Sequence, residues 1–299
     1  MPSCDNIHER EKLERSPYLN GMLPYELIGS PEMTLTVPDV DLFGKKVDFI
    51  DMTQGYGLGS PLWPYFEDLK VERFHYHAKS RVLSSGITHY MHTGTHADAP
   101  VHVEEDYPYI DQIPIEKYIG KGVVVDIPKS KWGVIGPEDL EKAQPSIEQN
   151  DIVIIHTGWH KFYTDSVKYF VYSPGLYKEA GEWFVKKKVK AVGVDQQALD
   201  HPLATRIAQP PPAHQPPTPI LPWVLEEYKK KTGHDVWQDF PYWEPCHREI
   251  LTHGIMGWEN VGGDIDKVVG KRCYIMGIPT KWIKGDGSNV RMIAMVEKK

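Results

Sequence analysis

Between His92 and His102, three histidines and one aspartate fall at even intervals, and neither regular backbone structure can use all four together. The run reads His92-Thr93-Gly94-Thr95-His96-Ala97-Asp98-Ala99-Pro100-Val101-His102. On a helix, His92 and His96 share a face, but Asp98 points roughly 240° away and Pro100 breaks the turn. In an extended strand all four side chains share one face, but His92 and His102 then lie roughly 33 Å apart. The segment therefore has to curl. Gly94 is the natural place, because glycine tolerates backbone angles that other residues avoid. Thr93 and Thr95 can hold the bend with local hydrogen bonds. The expected geometry is a strand end entering a tight loop, with side chains converging from both sides of Gly94.

Two imidazoles and a carboxylate drawn together suit zinc, manganese or iron(II), with positions open for water or substrate. The remaining histidine is then a candidate proton shuttle, since imidazole titrates near neutral pH. The same donors also describe non-haem iron oxygenases, so they do not fix the reaction by themselves.

Composition removes other classes. The 299 residues allow one large domain or two small ones. Hydrophobic content of 40% and charged content of 25% are those of an ordinary folded chain. A net charge of -7 argues against a nucleic-acid partner, which calls for a basic face. No apolar run reaches the roughly 18 residues of a membrane span, and the first residues lack a basic-then-apolar secretion signal. Cys4, Cys246 and Cys273 lie far apart with no CxxC, which reads as reduced thiols in a cytoplasmic protein. Cys246 beside His247 reads as a packed thiol rather than a nucleophile pair.

Residues 1–45 are polar and proline-spotted and read as an N-terminal arm with a short helix over 6–15. Residues 46–299 read as one domain. Short β-branched runs predict strands over 46–52, 123–127, 151–155, 191–195, 273–277 and 290–296. Helical patterns cover 136–143, 177–188, 221–231 and 245–253. The mix is α/β, built on a central sheet. The proline-rich stretch at 210–219 is expected to be stiff and extended, a loop over a pocket or toward a partner subunit. His160 and His201 read as surface or structural histidines, and Ser288 as a turn residue, since no G-x-S-x-G surrounds it.

Further metal ligands have to come from elsewhere, and the stretch from Cys246 to Asn260 is the best source. His247 and Glu259 flank a helix end at Gly254 and a short apolar entry into a strand. A helix carrying His247 and a strand-end Glu259 can converge on one point.

The first motif resembles the H-x-G-T-H-x-D-x-P-x-H pattern of the cyclase-like metal-dependent hydrolases, the family of bacterial kynurenine formamidase and isatin hydrolase. It matches at His92, Gly94, Thr95, His96, Asp98, Pro100 and His102. Weaker landmarks follow in order from Asp51-Met52-Thr53 and Pro61-Leu62-Trp63-Pro64 through Thr157-Gly158-Trp159 and Gly193-Val194-Asp195. They end with His247, Glu259 and Gly285-Asp286-Gly287-Ser288, so the resemblance covers roughly residues 46–296.

The resemblance implies a swivelling β/β/α sandwich, usually a homodimer or homotetramer, acting on a small-molecule substrate with a divalent ion, Mn2+ or Zn2+. His92, His96 and Asp98 would bind the metal, with Glu259 a further ligand. His102 and His247 would bind a second metal or transfer protons, His102 being the expected general base. Trp63 would stack on an aromatic substrate or pack in the core. The chemistry implied is metal-activated water attacking the carbonyl of an amide or cyclic amide or imide. A lactonase of the same fold, an arylformamidase of tryptophan breakdown, a redox iron enzyme and a non-catalytic metal-binding module are the alternatives. The long N-terminal arm, the proline-rich stretch and Tyr65 after Trp63-Pro64 depart from the smaller formamidases, and loops of this kind often set specificity.

Overall fold

The structure, a computed structural model, describes residues 39–298 except 43, 65 and 209–220. The helix expected over 6–15, the proline-rich stretch and Tyr65 lie outside the described residues. The chain divides into two units, Met1–Asp41 and Leu42–Lys299, and the second holds the histidine-rich segment.

Nine strands of this unit belong to one mixed sheet. They are β1 (Lys45–Asp51), β2 (His96–Asp98), β3 (Ile119–Asp126), β4 (Ile152–His156), β5 (Ala191–Val194), β6 (Met256–Glu259), β7 (Lys271–Met276), β8 (Gly287–Asn289) and β9 (Ile293–Glu297). Their order across the sheet is β1-β9-β7-β3-β4-β5-β6-β2-β8. The central four, β3 to β6, run parallel, and the flanking pairs are antiparallel.

The apolar runs of the central strands follow from burial on both faces. Successive side chains point to opposite sides, so Val123, Val125, Val153 and Ile155 enter one core while Val124, Ile152 and Ile154 enter the other. Burying one such side chain fully is worth about 1.5–3 kcal/mol. On the first face lie helices α1 (Pro137–Lys142), α2 (Lys178–Lys187) and α4 (Pro245–Thr252), which contribute Leu140, Phe184, Ile250 and Leu251. Helix α3 (Trp223–Thr232) belongs to a separate aromatic cluster with Trp159 and Tyr169. The second face collects residues from both ends of the sheet, Ala294 and Ile275 from one and Ala97 and Trp258 from the other. Trp258 closes this inner layer by donating its indole N–H to the Gly277 carbonyl at 3.0 Å. The sheet thus curls over its own second face while helices cover the first, the β/β/α layering that the resemblance implies.

Two local expectations need correction. Ser288 lies in strand β8, not in a turn, and its hydroxyl accepts from the Thr280 N–H at 3.0 Å. The strand predicted over 290–296 begins only at Ile293, as β9, with Val290–Met292 separating it from β8. Among the described residues no helix is long and apolar enough to cross a membrane.

Candidate active site

The bend falls at Gly94, with φ of +62° in the left-handed region. Thr93 holds it locally, donating its hydroxyl to the Tyr90 carbonyl at 2.6 Å, and the Asn289 side-chain amide donates to the Thr93 carbonyl. Thr95 acts over a longer range than expected. Its hydroxyl donates to the Asn260 carbonyl at 2.6 Å and accepts from the Gln54 N–H at 2.8 Å, fastening the loop to the end of β6. The strand also follows the bend rather than preceding it, since residues 91–95 are irregular and β2 begins at His96.

In β2, His96 and Asp98 share a face because they are two residues apart. A 3-10 turn at Pro100–His102 then doubles the chain back, and the His102 ring stacks on His92 with centroids 4.0 Å apart. The distant pair arrives by register and by a helix end. Glu259 is the direct partner of His96 across the antiparallel β6–β2 ladder, where paired side chains are nearest neighbours. His247 enters from the first turn of α4.

Beside a His92–His102–Asp286 group, the result is two donor groups that overlap at one carboxylate, His92–His96–Asp98 and Asp98–His247–Glu259, each with its ligand atoms within 4.8 Å of one another. Asp98 belongs to both. His96 Nε2 lies 3.4 Å from Asp98 Oδ1 and 3.4 Å from Glu259 Oε2. His247 Nε2 lies 2.7 Å from Glu259 Oε1 and 3.6 Å from Asp98 Oδ2. All five metal candidates named from the sequence therefore meet, and His102 stands beside them.

Each imidazole is oriented from behind, as metal-binding histidines usually are. His96 Nδ1 is 2.9 Å from the Gly94 carbonyl, which can only accept, so Nδ1 carries the proton and Nε2 presents its lone pair to the site. His247 Nδ1 is 2.6 Å from Asp200 Oδ2. His92 Nε2 is 3.0 Å from Asp286 Oδ2, which leaves Nδ1 facing Asp98 at 2.8 Å. The Leu199 N–H donates to Glu259 Oε1 at 2.8 Å and fixes that carboxylate.

The residues fit a divalent cation. His96 Nε2 and Asp98 Oδ2 are buried without a hydrogen-bond partner, and such orphaned acceptors call for an explanation. Asp98 and Glu259 are both buried carboxylates, which are costly unless compensated. Without an ion, protons take that role. Burial alone would lower the His96 pKa, but Asp98 and Glu259 outweigh it and lift it to about 10. His92 reaches about 9 against the same burial, through Asp286 and Asp98. Burial raises the Glu259 carboxyl and Asp98 adds to it, yet His247 and His96 bring it down to about 2. His102 behaves oppositely. Protein crowding and the facing imidazoles of His92 and His247 push it down to about 3, although its open edge to solvent weakens the burial share. It is neutral at neutral pH.

Over the donors lies an aromatic pocket whose walls include Trp63, Phe66, Phe170 and Trp243. Trp63 also packs against the aromatic cluster of Trp159 and Tyr169, the packing role expected of it, while one side lines the pocket. Glu244 lines the same pocket, and burial with the charges of Asp200 and Glu259 pushes its carboxyl up to about 8. Cys246 is a buried packed thiol, held well above its usual pKa by burial. His201 is fully buried and stacks on Phe240 at 4.3 Å, a structural histidine away from the surface.

Asp200, Glu244 and the role of Asp286 were not read from the sequence. Asp286 stood in a noted Gly-Asp-Gly landmark. Asp200 lies 47 residues from His247 and had no local signal.

Comparison with known proteins places this architecture. A family described as putative cyclase matches residues 50–201, about half of the chain. Kynurenine formamidase of Bacillus cytotoxicus is 27% identical over 250 residues, covering 83% of this chain and 98% of the relative. Kynurenine formamidase of Erythrobacter litoralis is 32% identical over 151 residues, 50% of this chain and 66% of the relative. In structure the chain is similar to isatin hydrolase A from Ralstonia solanacearum, with TM-score 0.66 and 22% identity over 84% of this chain and 92% of that one. The chain belongs to the putative cyclase family, the cyclase-like metal-dependent hydrolases, and is one of its enzymes.

Proposed function

We propose that this enzyme hydrolyses the C–N bond of an aryl formamide or a cyclic aryl amide at the Asp98 site. The observation that carries the reading is the pair of donor groups sharing Asp98 at the floor of an aromatic pocket, with His102 beside them. The kynurenine formamidase and isatin hydrolase names of its relatives support the same bond type.

His92, His96 and Asp98 would hold a divalent metal, Zn2+ or Mn2+, with Glu259 and His247 completing the set. When bound, such an ion supplies an acidified water and a Lewis acid for the carbonyl oxygen. His102 takes the proton of the attacking water and returns it to the leaving nitrogen, as a neutral imidazole can. Trp63, Phe66 and Trp243 flank the aryl group and exclude water from it. Glu244, protonated at neutral pH, donates a hydrogen bond toward the substrate's polar end. A homo-oligomer belongs to the same reading. Its support is the two-stranded ribbon Lys70–His75/Ser84–Thr88, which leaves Val71, Phe74 and Ile87 exposed, whereas an isolated ribbon is marginal in water.

The test is a turnover screen of the metal-loaded enzyme with N-formyl aryl amines, isatin-like cyclic amides and aryl lactones. Cleavage of a formamide or cyclic amide, lost to chelator and restored by Zn2+ or Mn2+, is expected. Turnover of lactones alone would replace the C–N reading with ester chemistry, and none at all would make the site a binding module. Within an active enzyme, His102→Ala should lower kcat by about 10²–10⁴, the usual worth of a general base. The metal of the two Asp98 groups should stay, because His102 belongs to neither and meets only His92 and Asp286 in a separate donor group. Near-normal turnover across pH would remove His102 from the proton path.

A further inference from the structure

A second group of imidazoles sits at the C-terminal ends of the parallel strands, sharing no donor with the Asp98 site. His156 ends β4, and His160 follows in the 3-10 turn Trp159–Phe162. Asp266 reaches them from the 3-10 turn Ile265–Lys267. The three ligand atoms lie within 4.8 Å of one another. His156 Nε2 is 3.2 Å from Asp266 Oδ1, and His160 Nε2 is 3.7 Å from Asp266 Oδ2.

We infer that His156, His160 and Asp266 form a separate binding site for a borderline divalent cation of the zinc type. Three features of the cluster carry this. Both rings are held from behind by carboxylates, His156 Nδ1 by Asp126 at 2.7 Å and His160 Nδ1 by Asp195 at 3.1 Å. That arrangement turns both Nε2 lone pairs inward, the pattern by which proteins prepare imidazole ligands. Second, His156 is more than nine-tenths buried, yet its Nε2 has no hydrogen-bond partner despite lying near Asp266. Third, the supporting carboxylates are built in. Asp126 is the register partner of His156 at the ends of adjacent strands. Asp195, fully buried one residue past β5, accepts the Thr157, Gly158 and Trp159 N–H groups at 3.0, 2.8 and 3.0 Å.

Two imidazoles and one carboxylate, with water in the remaining position, is a donor set that zinc accepts. Asp266 is half exposed, which leaves an entry path. Lys161 Nζ, 3.2 Å from Asp266 Oδ2, competes for that oxygen but is itself exposed and free to swing away. The ion joins two loops that follow β4 and β6, so it fastens the sheet's C-terminal edge.

The test counts zinc per chain on the full-length protein, stripped with chelator and dialysed against micromolar Zn2+. An Asp98→Asn/His247→Gln variant, disabled at the active site, should retain one equivalent. Adding His156→Gln and His160→Gln should remove that equivalent. Asp266→Ala, a substitution at an exposed side chain that leaves the core intact, should weaken retention at least tenfold, and zinc should raise the melting temperature only where all three donors remain. In an otherwise wild-type chain, His156→Gln/His160→Gln should lose one equivalent and keep its turnover. Zinc absent from the active-site variant, or present and indifferent to all three donor substitutions, overturns the site.

Discussion

Asp98→Asn should cost more than any other single substitution in this protein: active-site metal lost, and kcat/KM reduced by about three orders of magnitude or more. Asp98 is the member common to both donor groups, and its two oxygens face His92, His96 and His247. The amide keeps the shape but places an NH2 where an oxygen has to meet an imidazole N–H or an ion. Loss of the ion forfeits several kcal/mol of transition-state charge stabilisation, and each 1.36 kcal/mol is about a factor of ten in rate. Elemental analysis beside steady-state kinetics checks the result. Zinc should fall to the level held by the His156 cluster alone. Full metal content in this variant would remove Asp98 from the ligand set.

The second large effect is expected from Asp200→Asn, a substitution outside both donor groups. Asp200 accepts three hydrogen bonds, from the Cys246 and His247 N–H groups at 2.9 Å each and from His247 Nδ1 at 2.6 Å. It is at once the cap of helix α4 and the group that sets the tautomer of His247. Asparagine offers one accepting oxygen, so its NH2 faces either the Cys246 N–H or both His247 donors, which share Oδ2. In the second case the imidazole proton moves to Nε2, and the ring no longer presents a lone pair to the site. Disturbed support of this kind typically weakens metal binding about 10–100-fold. The buried unsatisfied group costs about 1–3 kcal/mol of stability. A chelator-competition titration, with thermal melts alongside, separates the two effects. Activity should return at high metal concentration. Lower stability with unchanged metal affinity would reduce Asp200 to a helix cap.

The parts of this site that were legible in the sequence are those determined locally. The even spacing from His92 to His102 forces a curl, and Gly94 supplies it with a positive φ. The apolar runs of β3, β4 and β5 announce strands buried on both faces. What the spacing carried only weakly was Glu259, because its place beside His96 depends on the register of β6 against β2, which no local pattern encodes. Asp200 was invisible for a related reason. A carboxylate after one strand caps a helix that begins more than forty residues later, and nothing near Asp200 distinguishes it from a solvated charge. Thr95 shows the same limit at small scale. A local hydrogen bond was expected, and the hydroxyl bonds instead to a carbonyl 165 residues away.

Asp98 occupies a position in β2 whose partners on both neighbouring strands are glycines, Gly257 on β6 and Gly287 on β8. A methyl group at 287 would sit 2.7 Å from His92 Cε1, and one at 257 would sit 2.7 Å from Leu199 and 3.7 Å from Asp98 Oδ2. The clearance around the shared carboxylate is thus set by two residues that donate nothing to it. For a cation held at Asp98, the room available would therefore be set partly by the neighbouring strands, with every donor left in place.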